Sequence, residues 1–324
     1  MNLRPAPPGI RRKILRAHQQ RGVAVITALL LTTLAITIVA SLFWQQQVLV
    51  RSIENQRLQL QKQWVLRGAL DWAGLILRED AKTSSVDNLD EPWAVPLAET
   101  RLDQYVENGR ADDDVADATL SGSISDAQAR LNLTNLCPNG AINPVEVAAF
   151  ARLLDNAKLD PKLAQATAEL MASALKKPET ANTGNQTTLR PMALTHTDDL
   201  LAVPGFTPQM LDKLRDFVIF LPRATPVNVN TAPAEVLAAR IDTLALSEAN
   251  MLTTSRSTAS FRDLADFTNR LPGKSISLSS NEASVSTSFF LVNGKVRMNR
   301  ARLDVQAVIE RSGANSKLIQ IREY

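Results

Sequence analysis

The chain has 324 residues, with 36 basic and 33 acidic side chains, two histidines and one cysteine. Six of the basic residues (Arg4, Arg11, Arg12, Lys13, Arg16 and Arg21) precede position 22 with no acid among them; taking six from 36 leaves the rest slightly acidic, so the pI of about 9.1 reports a topology signal rather than a nucleic-acid surface. A lone Cys137 excludes an internal disulfide, and two distant histidines, His18 and His196, without a nucleophile-elbow, HExxH or phosphate-loop pattern, argue against an enzyme.

Residues 23–43 are uncharged throughout. As a helix they cover roughly 32 Å, close to the ~30 Å hydrocarbon core of a bilayer. The basic leader in front keeps the N-terminus cytoplasmic and exports everything that follows. Three readings fit: a secretory signal peptide, an uncleaved signal anchor, and a prepilin-like leader cut between Gly22 and Val23. A signal peptide has a shorter apolar core, roughly 7–15 residues, and positions 38–40 form only a passable cleavage site.

Residues 44–80 contain no proline and only Gly68 and Gly74, and are rich in helix-forming Gln, Leu, Arg, Glu and Lys. Apolar residues recur at Val48, Leu49, Ile53, Leu60, Trp64, Leu70 and Leu77, forming one stripe. A helix over 23–80 would be about 87 Å long. A plain anchor has no use for such a spine. Fibre subunits pack by one, so the prepilin-like reading leads. The spine beyond the membrane holds Trp64, Leu70, Trp72, Leu75, Ile76 and Leu77, more apolar surface than one sheet face covers, and these are the partner-interface candidates.

The C-terminal stretch reads as strands over 285–291, 295–298, 302–310 and 318–321, with hairpin signals at Asn293-Gly294 and at 312–315. Earlier candidates are 119–124 and 129–133. Between these regions lies a helical block, 140–272, whose starts are marked by Asn143-Pro144, Asp160-Pro161, Thr207-Pro208 and Ser260-Phe261, with a loop over 177–191. Strands on both sides make this block an insertion into one α+β domain: a long N-terminal helix on an antiparallel sheet. The predicted divisions are a leader 1–22, a membrane segment 23–43, an exported spine 44–80, an α+β core 81–139 with 273–324, and the insertion 140–272.

Two motifs in the block need weighing. Residues 200–206 resemble half of a helix-hairpin-helix, and 226–233 resemble the entry to such hairpins in competence DNA-binding proteins. A phosphate grip needs exposed backbone N–H groups and unopposed cations. Here Pro208 removes a donor, and Lys213 and Arg215 are matched by Asp198, Asp199, Asp212 and Asp216, so the hairpin reads as scaffold. Asn228 and Asn230 read as loop-backbone partners beside a Thr231 cap. The acidic run Asp112, Asp113, Asp114 and Asp117 reads as a solvated loop.

The whole chain resembles the K-type minor pseudopilins of type II secretion systems. The resemblance rests on Gln20-Arg21-Gly22-Val23-Ala24 with its apolar run, the segment from Asp126 through Arg130, Asn132 and Asn135 to Leu136, the 200–206 hairpin, and Val227-Asn228-Val229-Asn230-Thr231 with Glu235 and Leu237. It implies a pilin-like fold with an all-helical, helix-hairpin-helix or SAM-like insertion, without catalysis or nucleic-acid binding. It also implies cleavage by the prepilin peptidase after Gly22, N-methylation of Val23, engagement of the inner-membrane assembly platform, and I- and J-type minor pseudopilins as partners at the pseudopilus tip. A minor pilin of a related type IV pilus is the homologous alternative. Thr27 stands where most such subunits carry an assembly glutamate, which also points to the tip. Calcium occurs in the family, but residues 178–197 hold only Glu179 as an acid, and no ligand set can be identified.

Overall fold

The structure, a computed structural model, describes residues 21–102, 118–175, 191–271, 278–298 and 301–324. The predicted leader up to Gln20, the carboxylates Asp112, Asp113, Asp114 and Asp117, and most of the predicted 177–191 loop lie outside the described residues. The chain divides into two compact units, Met1–Gln61 and Lys62–Tyr324. One unbroken helix, α1 (Arg21–Thr83), runs through the boundary between them.

In the first unit every side chain from Val23 to Arg57 is exposed, and the helix is long and apolar enough to cross a membrane. Its threonines hide their hydroxyls by donating to carbonyls one turn back: Thr27 Oγ1 lies 3.0 Å from the carbonyls of both Val23 and Ala24. Such internal bonding is what a polar group needs in an apolar solvent.

In the second unit the strands, in chain order, are β1 (Leu97–Arg101), β2 (Ala118–Asp126), β3 (Leu131–Asn132), β4 (Val218–Ile219), β5 (Val227–Asn228), β6 (Ala283–Ser284), β7 (Phe289–Met298), β8 (Ala301–Ser312) and β9 (Asn315–Glu323). The main sheet is antiparallel in the order β1-β2-β7-β8-β9. Strand alternation sends Phe290, Val292, Val296, Val305, Ala307 and Ile309 to one face, against Leu66, Leu70, Ala73 and Leu77 of α1. Phe289, Leu291 and Val308 point to the other face, against Ala127 and Leu221 at the edge of the insertion. The second unit therefore has three layers: helix, sheet, insertion.

The insertion leaves the sheet at the end of β2 and returns at the start of β7, strands that pair directly up to Asp126↔Phe290. Its helices are α2 (Pro144–Asn156), α3 (Lys162–Leu175), α4 (Pro208–Leu214), α5 (Ala234–Arg240), α6 (Leu246–Arg256) and α7 (Leu264–Asn269). It is not all-helical. Two short parallel ladders, β3 with β4 and β5 with β6, close its ends. Its core reaches from Leu131 to Ala283 and includes the buried Cys137.

Three of the predicted helix caps form as expected. Asn143 accepts from Val145 N at 3.1 Å, Asp160 from Lys162 N at 2.9 Å and Thr207 from Met210 N at 3.4 Å. The fourth is displaced. Asp263, not Ser260, caps α7 by accepting from Asp266 N at 2.7 Å, because Phe261 is buried against Phe267 and exchanges backbone bonds with the Asn230 amide.

The predicted Asn293-Gly294 hairpin does not exist: both residues lie inside β7, and Gly294 pairs with Gly122 on one side and Val305 on the other. Gly294 sits under α1, where a Cβ would already touch Leu66 at 3.6 Å, and at Gly122 a Cβ would fall 2.7 Å from the Asn293 carbonyl. Gly122 thus serves close approach, and neither glycine makes a turn. The predicted 129–133 strand shrinks to β3 between two 3-10 turns, and β1 was not anticipated at all.

A buried ion pair joins α2 to α5: Arg240 donates to both oxygens of Glu146 at 2.8 and 2.6 Å. Removing one partner leaves the other charge stranded in the core. Arg240→Ala should therefore destabilise the folded second unit by about 3–5 kcal/mol in urea unfolding, whereas the joint change Arg240→Met, Glu146→Leu should recover most of that loss. A single-variant cost below about 1 kcal/mol would show that the pair is not holding these helices.

Candidate functional site

From Lys62 onward α1 carries two unlike faces. Leu66, Leu70, Ala73 and Leu77 are buried on the sheet. At about 100° per residue, Trp64, Gly68, Trp72 and Leu75 fall within an arc of roughly 80° on the opposite side. Trp64 is 69% exposed, Trp72 48% and Leu75 45%, and a Cβ on Gly68 would meet nothing. Large apolar side chains gathered on one outward face make it a candidate docking surface. The six interface candidates therefore separate: Leu70 and Leu77 belong to the core and offer no surface, Ile76 is half-buried against the sheet, and Trp64, Trp72 and Leu75 remain available. Sequence spacing showed an excess of apolar surface without showing which residues the sheet would take.

Trp72 also borders an apolar cleft of about 280 Å³ between α1, Trp93 and β2, floored by the Gly122–Gly294 pair. Trp93 is itself fixed: its indole N–H donates to Glu91 at 2.7 Å and its ring meets Phe290 edge-on at 5.2 Å. The outward apolar face thus rests on a packed support.

The other feature that organises the second unit is a buried polar joint. Arg311 of β8 donates to Asp80 at the end of α1, at 2.7 Å, and to Asp87 in the following loop, while its guanidinium lies 4.6 Å from the Phe290 ring centre. Asp87 also accepts from Thr287 N at 2.7 Å, and its carbonyl accepts from the Asn228 amide at 3.1 Å. Asn228 donates in turn to Asp126 at 2.8 Å, and Thr231 O–H to the same carboxylate at 2.6 Å. Thr231 is thus a carboxylate partner rather than a helix cap. Arg256 fixes the same loop by donating to the carbonyls of Val229 and Ala232 at 2.7 and 2.6 Å, and burial pulls its pKa down to about 10. Every polar residue of the Asn228-to-Thr231 motif is spent on the fold.

The hairpin is equally committed. Val203 and Phe206 are buried, Gly205 adopts φ +107°, and a Cβ there would lie 2.8 Å from Leu163. Arg215 is paired with Asp198 at 3.1 Å and Asp212 at 3.2 Å. This turn packs against α3 and presents no phosphate grip.

Among the described residues one group of three acids, Asp80, Asp87 and Glu91, brings its oxygens within 4.8 Å of one another. It does not fit calcium. The Arg311 guanidinium already serves as cation to two of the three, and Trp93 and Asn88 N donate to the third. Burial raises the Asp80 and Glu91 carboxyls above their ordinary range, with hydrogen bonds from Arg311 and Trp93 opposing it.

An anchoring helix, an antiparallel sheet laid on its later turns and a helical insertion between adjacent strands define a pilin-like subunit with an enlarged head. The comparisons narrow this class. Two profiles, each described as type II secretion system protein K, match residues 129–223 and 227–288. The type II secretion system protein K of Pseudomonas aeruginosa is 27% identical over 317 residues, covering 92% of this chain and 91% of that protein. That of Klebsiella pneumoniae is 26% identical over 333 residues, covering 94% and 97%. The structure titled as the GspK-GspI-GspJ complex of enterotoxigenic Escherichia coli contains a chain of the same fold, at TM-score 0.65 and 19% identity over 85% of this chain and 99% of that one. The chain belongs to the K-type minor pseudopilin family of the type II secretion system.

Burial pushes the Asp126 carboxyl up to about 6 despite its donors. Its folded pKa then exceeds the ordinary 3.8, so the folded state holds the proton more tightly. The stability Asp126 contributes is full below pH 3.8 and is lost as pH rises through about 6. Relative to an Asp126→Asn variant, the wild-type chain should gain unfolding free energy as pH falls from 7 to 4.5. Parallel pH profiles for the two proteins would contradict a raised Asp126 pKa.

Proposed function

We propose that this subunit occupies the tip of the pseudopilus and that the Trp64, Trp72 and Leu75 face of α1 docks I- and J-type minor pseudopilins. The observation that carries this reading is the exposure of three large apolar residues on the helix face opposite the core. The GspK chain that shares this fold was crystallised in a GspK-GspI-GspJ complex. Prepilin peptidase removes residues 1–22, Val23 becomes the methylated N-terminus, and the helix sits in the inner membrane with the head in the periplasm until the assembly platform extracts it. The role is structural, supporting protein export across the outer membrane.

Tip placement follows from Thr27. No acid occurs between Val23 and Ile53, and the Thr27 hydroxyl is turned back on its own helix. Such a subunit can offer its N-terminal amine to another chain's carboxylate in the bilayer but has none with which to accept one. A one-sided link suits an end position.

Trp64→Glu and Trp72→Glu together should leave the melting temperature unchanged, because both rings are exposed, while weakening co-purification with the I- and J-type heads. A central tryptophan in an interface is worth about 2 kcal/mol or more, so the loss should be at least ~30-fold for one and on the order of 1000-fold where the two add. Undiminished ternary assembly would move the interface elsewhere. Processing is checked separately: Gly22→Val should retain the leader in the intact mass of the membrane-extracted protein, and a mature chain beginning at Val23 would show the cut does not depend on a small residue there.

A further inference from the structure

The segment from Asp126 to Leu136 is dense in polar residues, and nearly all of them bond the loops at the root of the insertion. Asp126 binds Asn228 and Thr231, and Gln128 bridges the Pro226 carbonyl at 3.0 Å and Ser288 N at 2.7 Å. Asn132 donates to the Arg223 carbonyl at 2.8 Å and accepts from Leu221 N at 3.1 Å. Asn135 exchanges two bonds with the Thr225 backbone, at 2.8 and 3.1 Å. Arg130 is the exception. Its Nε reaches only the Asp216 carbonyl, at 3.3 Å, and its Nη1 is buried with no hydrogen-bond partner.

Arg130 lines a cleft of about 330 Å³ where the insertion meets the second face of the sheet. Val218 and Phe220 of the insertion and Leu291 and Val308 of the sheet give it apolar lining. Three guanidinium groups (Arg130, Arg215 and Arg322) share it with two carboxylates, Asp198 and Asp216. Asp198 is divided between two of the cations, accepting from Arg215 at 3.1 Å and from Arg322 at 3.4 Å. Asp212, outside the cleft, also pairs with Arg215. Among the described residues no acceptor reaches Arg130 Nη1. A buried guanidinium N–H without an acceptor costs more than a neutral donor would, and burial already lowers the Arg130 pKa.

We propose that this cleft binds a carboxylate, with Arg130 and Arg322 as its cationic partners and a short apolar group against the lining around Val218 and Leu291. The planar fork of a guanidinium matches a carboxylate, and the apolar walls suit an acid carried on carbon more than a fully hydrated inorganic anion. The acid has two sources, a free small dicarboxylate or the terminal carboxylate of a peptide, and the site chemistry is the same for both. This assignment does not depend on the docking face of α1, which lies on the opposite side of the sheet.

The test is calorimetric titration of the full chain in detergent with succinate, with the tripeptide Ala-Val-Ala as free acid, and with the same tripeptide amidated, at matched ionic strength. Saturable binding of succinate or of the free-acid tripeptide is expected. Losing one charge-assisted bond corresponds to roughly 10–100-fold, so Arg130→Gln should weaken it by at least about tenfold. Arg322→Gln should weaken it as well, and Arg262→Gln, an exposed arginine elsewhere on the insertion, should not. The free-acid tripeptide outbinding both its amide and succinate identifies a peptide terminus; succinate binding as well as the tripeptide identifies a free acid. Should Arg130→Gln fold poorly, Arg322 is 40% exposed on a sheet strand and its variant carries the comparison. Absence of saturation by either acid below about 10 mM, or equal binding by wild type and Arg322→Gln, overturns the proposal.

Discussion

The second unit depends on one buried cation. Arg311 holds Asp80, the last buried turn of α1, and Asp87, the loop that leaves it, at the same point of β8. Taking three charges out of water is costly, and such an arrangement is retained only when every group is satisfied. Here Thr287, Asn228 and the Phe290 ring complete the set. The bonds continue through Asn228 into Asp126, so the end of the spine, the sheet and the root of the insertion share one chain of hydrogen bonds. A different docking of any of the three would strand a buried charge. Apolar packing supplies most of the stability; this joint selects a single arrangement for it.

The same helix that ends in the joint has two further tasks, which its period keeps apart. Residues three and four apart share a face, so Leu66, Leu70, Ala73 and Leu77 can be given entirely to the sheet while Trp64, Trp72 and Leu75 are left outward. Neither set constrains the other. Substitutions on the outer face can change the exposed surface without touching the core, and core substitutions are felt as lost packing.

Much of this was legible in the sequence. The helix without proline, the capped starts at Asn143, Asp160 and Thr207, and the insertion between strands follow from local chemistry that tertiary structure left in place. Two of the failures share one cause: a local signal whose residue was needed elsewhere. Asn293-Gly294 has the composition of a turn, yet both residues are paired inside β7, and the Asn293 carbonyl lies where a Cβ on Gly122 would be. Ser260 looked like a cap, yet Phe261 was already bonded to Asn230. Leu70 and Leu77 looked available because a single sequence does not show how wide a face the sheet will cover. Strand β1 is short, mostly exposed and at an edge, so it lacks the alternation that betrays β2 and β8. Arg130 carried no signal at all as a site; only its unmet Nη1 separates it from the other polar residues of its segment.

Where the insertion enters explains why a head this large is tolerated. Its two ends leave from β2 and β7 beside Asp126 and Phe290, which pair across one ladder, so any length of chain can be accommodated without moving a strand. The entropic cost of a longer connection rises only with the logarithm of its length. What the fold must supply is a seal at the root, and Asp126, Gln128, Asn132 and Asn135 provide it by bonding the insertion's loops. The insertion then packs on the sheet face away from α1. Bulk accumulates on one side of the sheet while the Trp64 and Trp72 face stays clear on the other, so the head enlarges without covering that face.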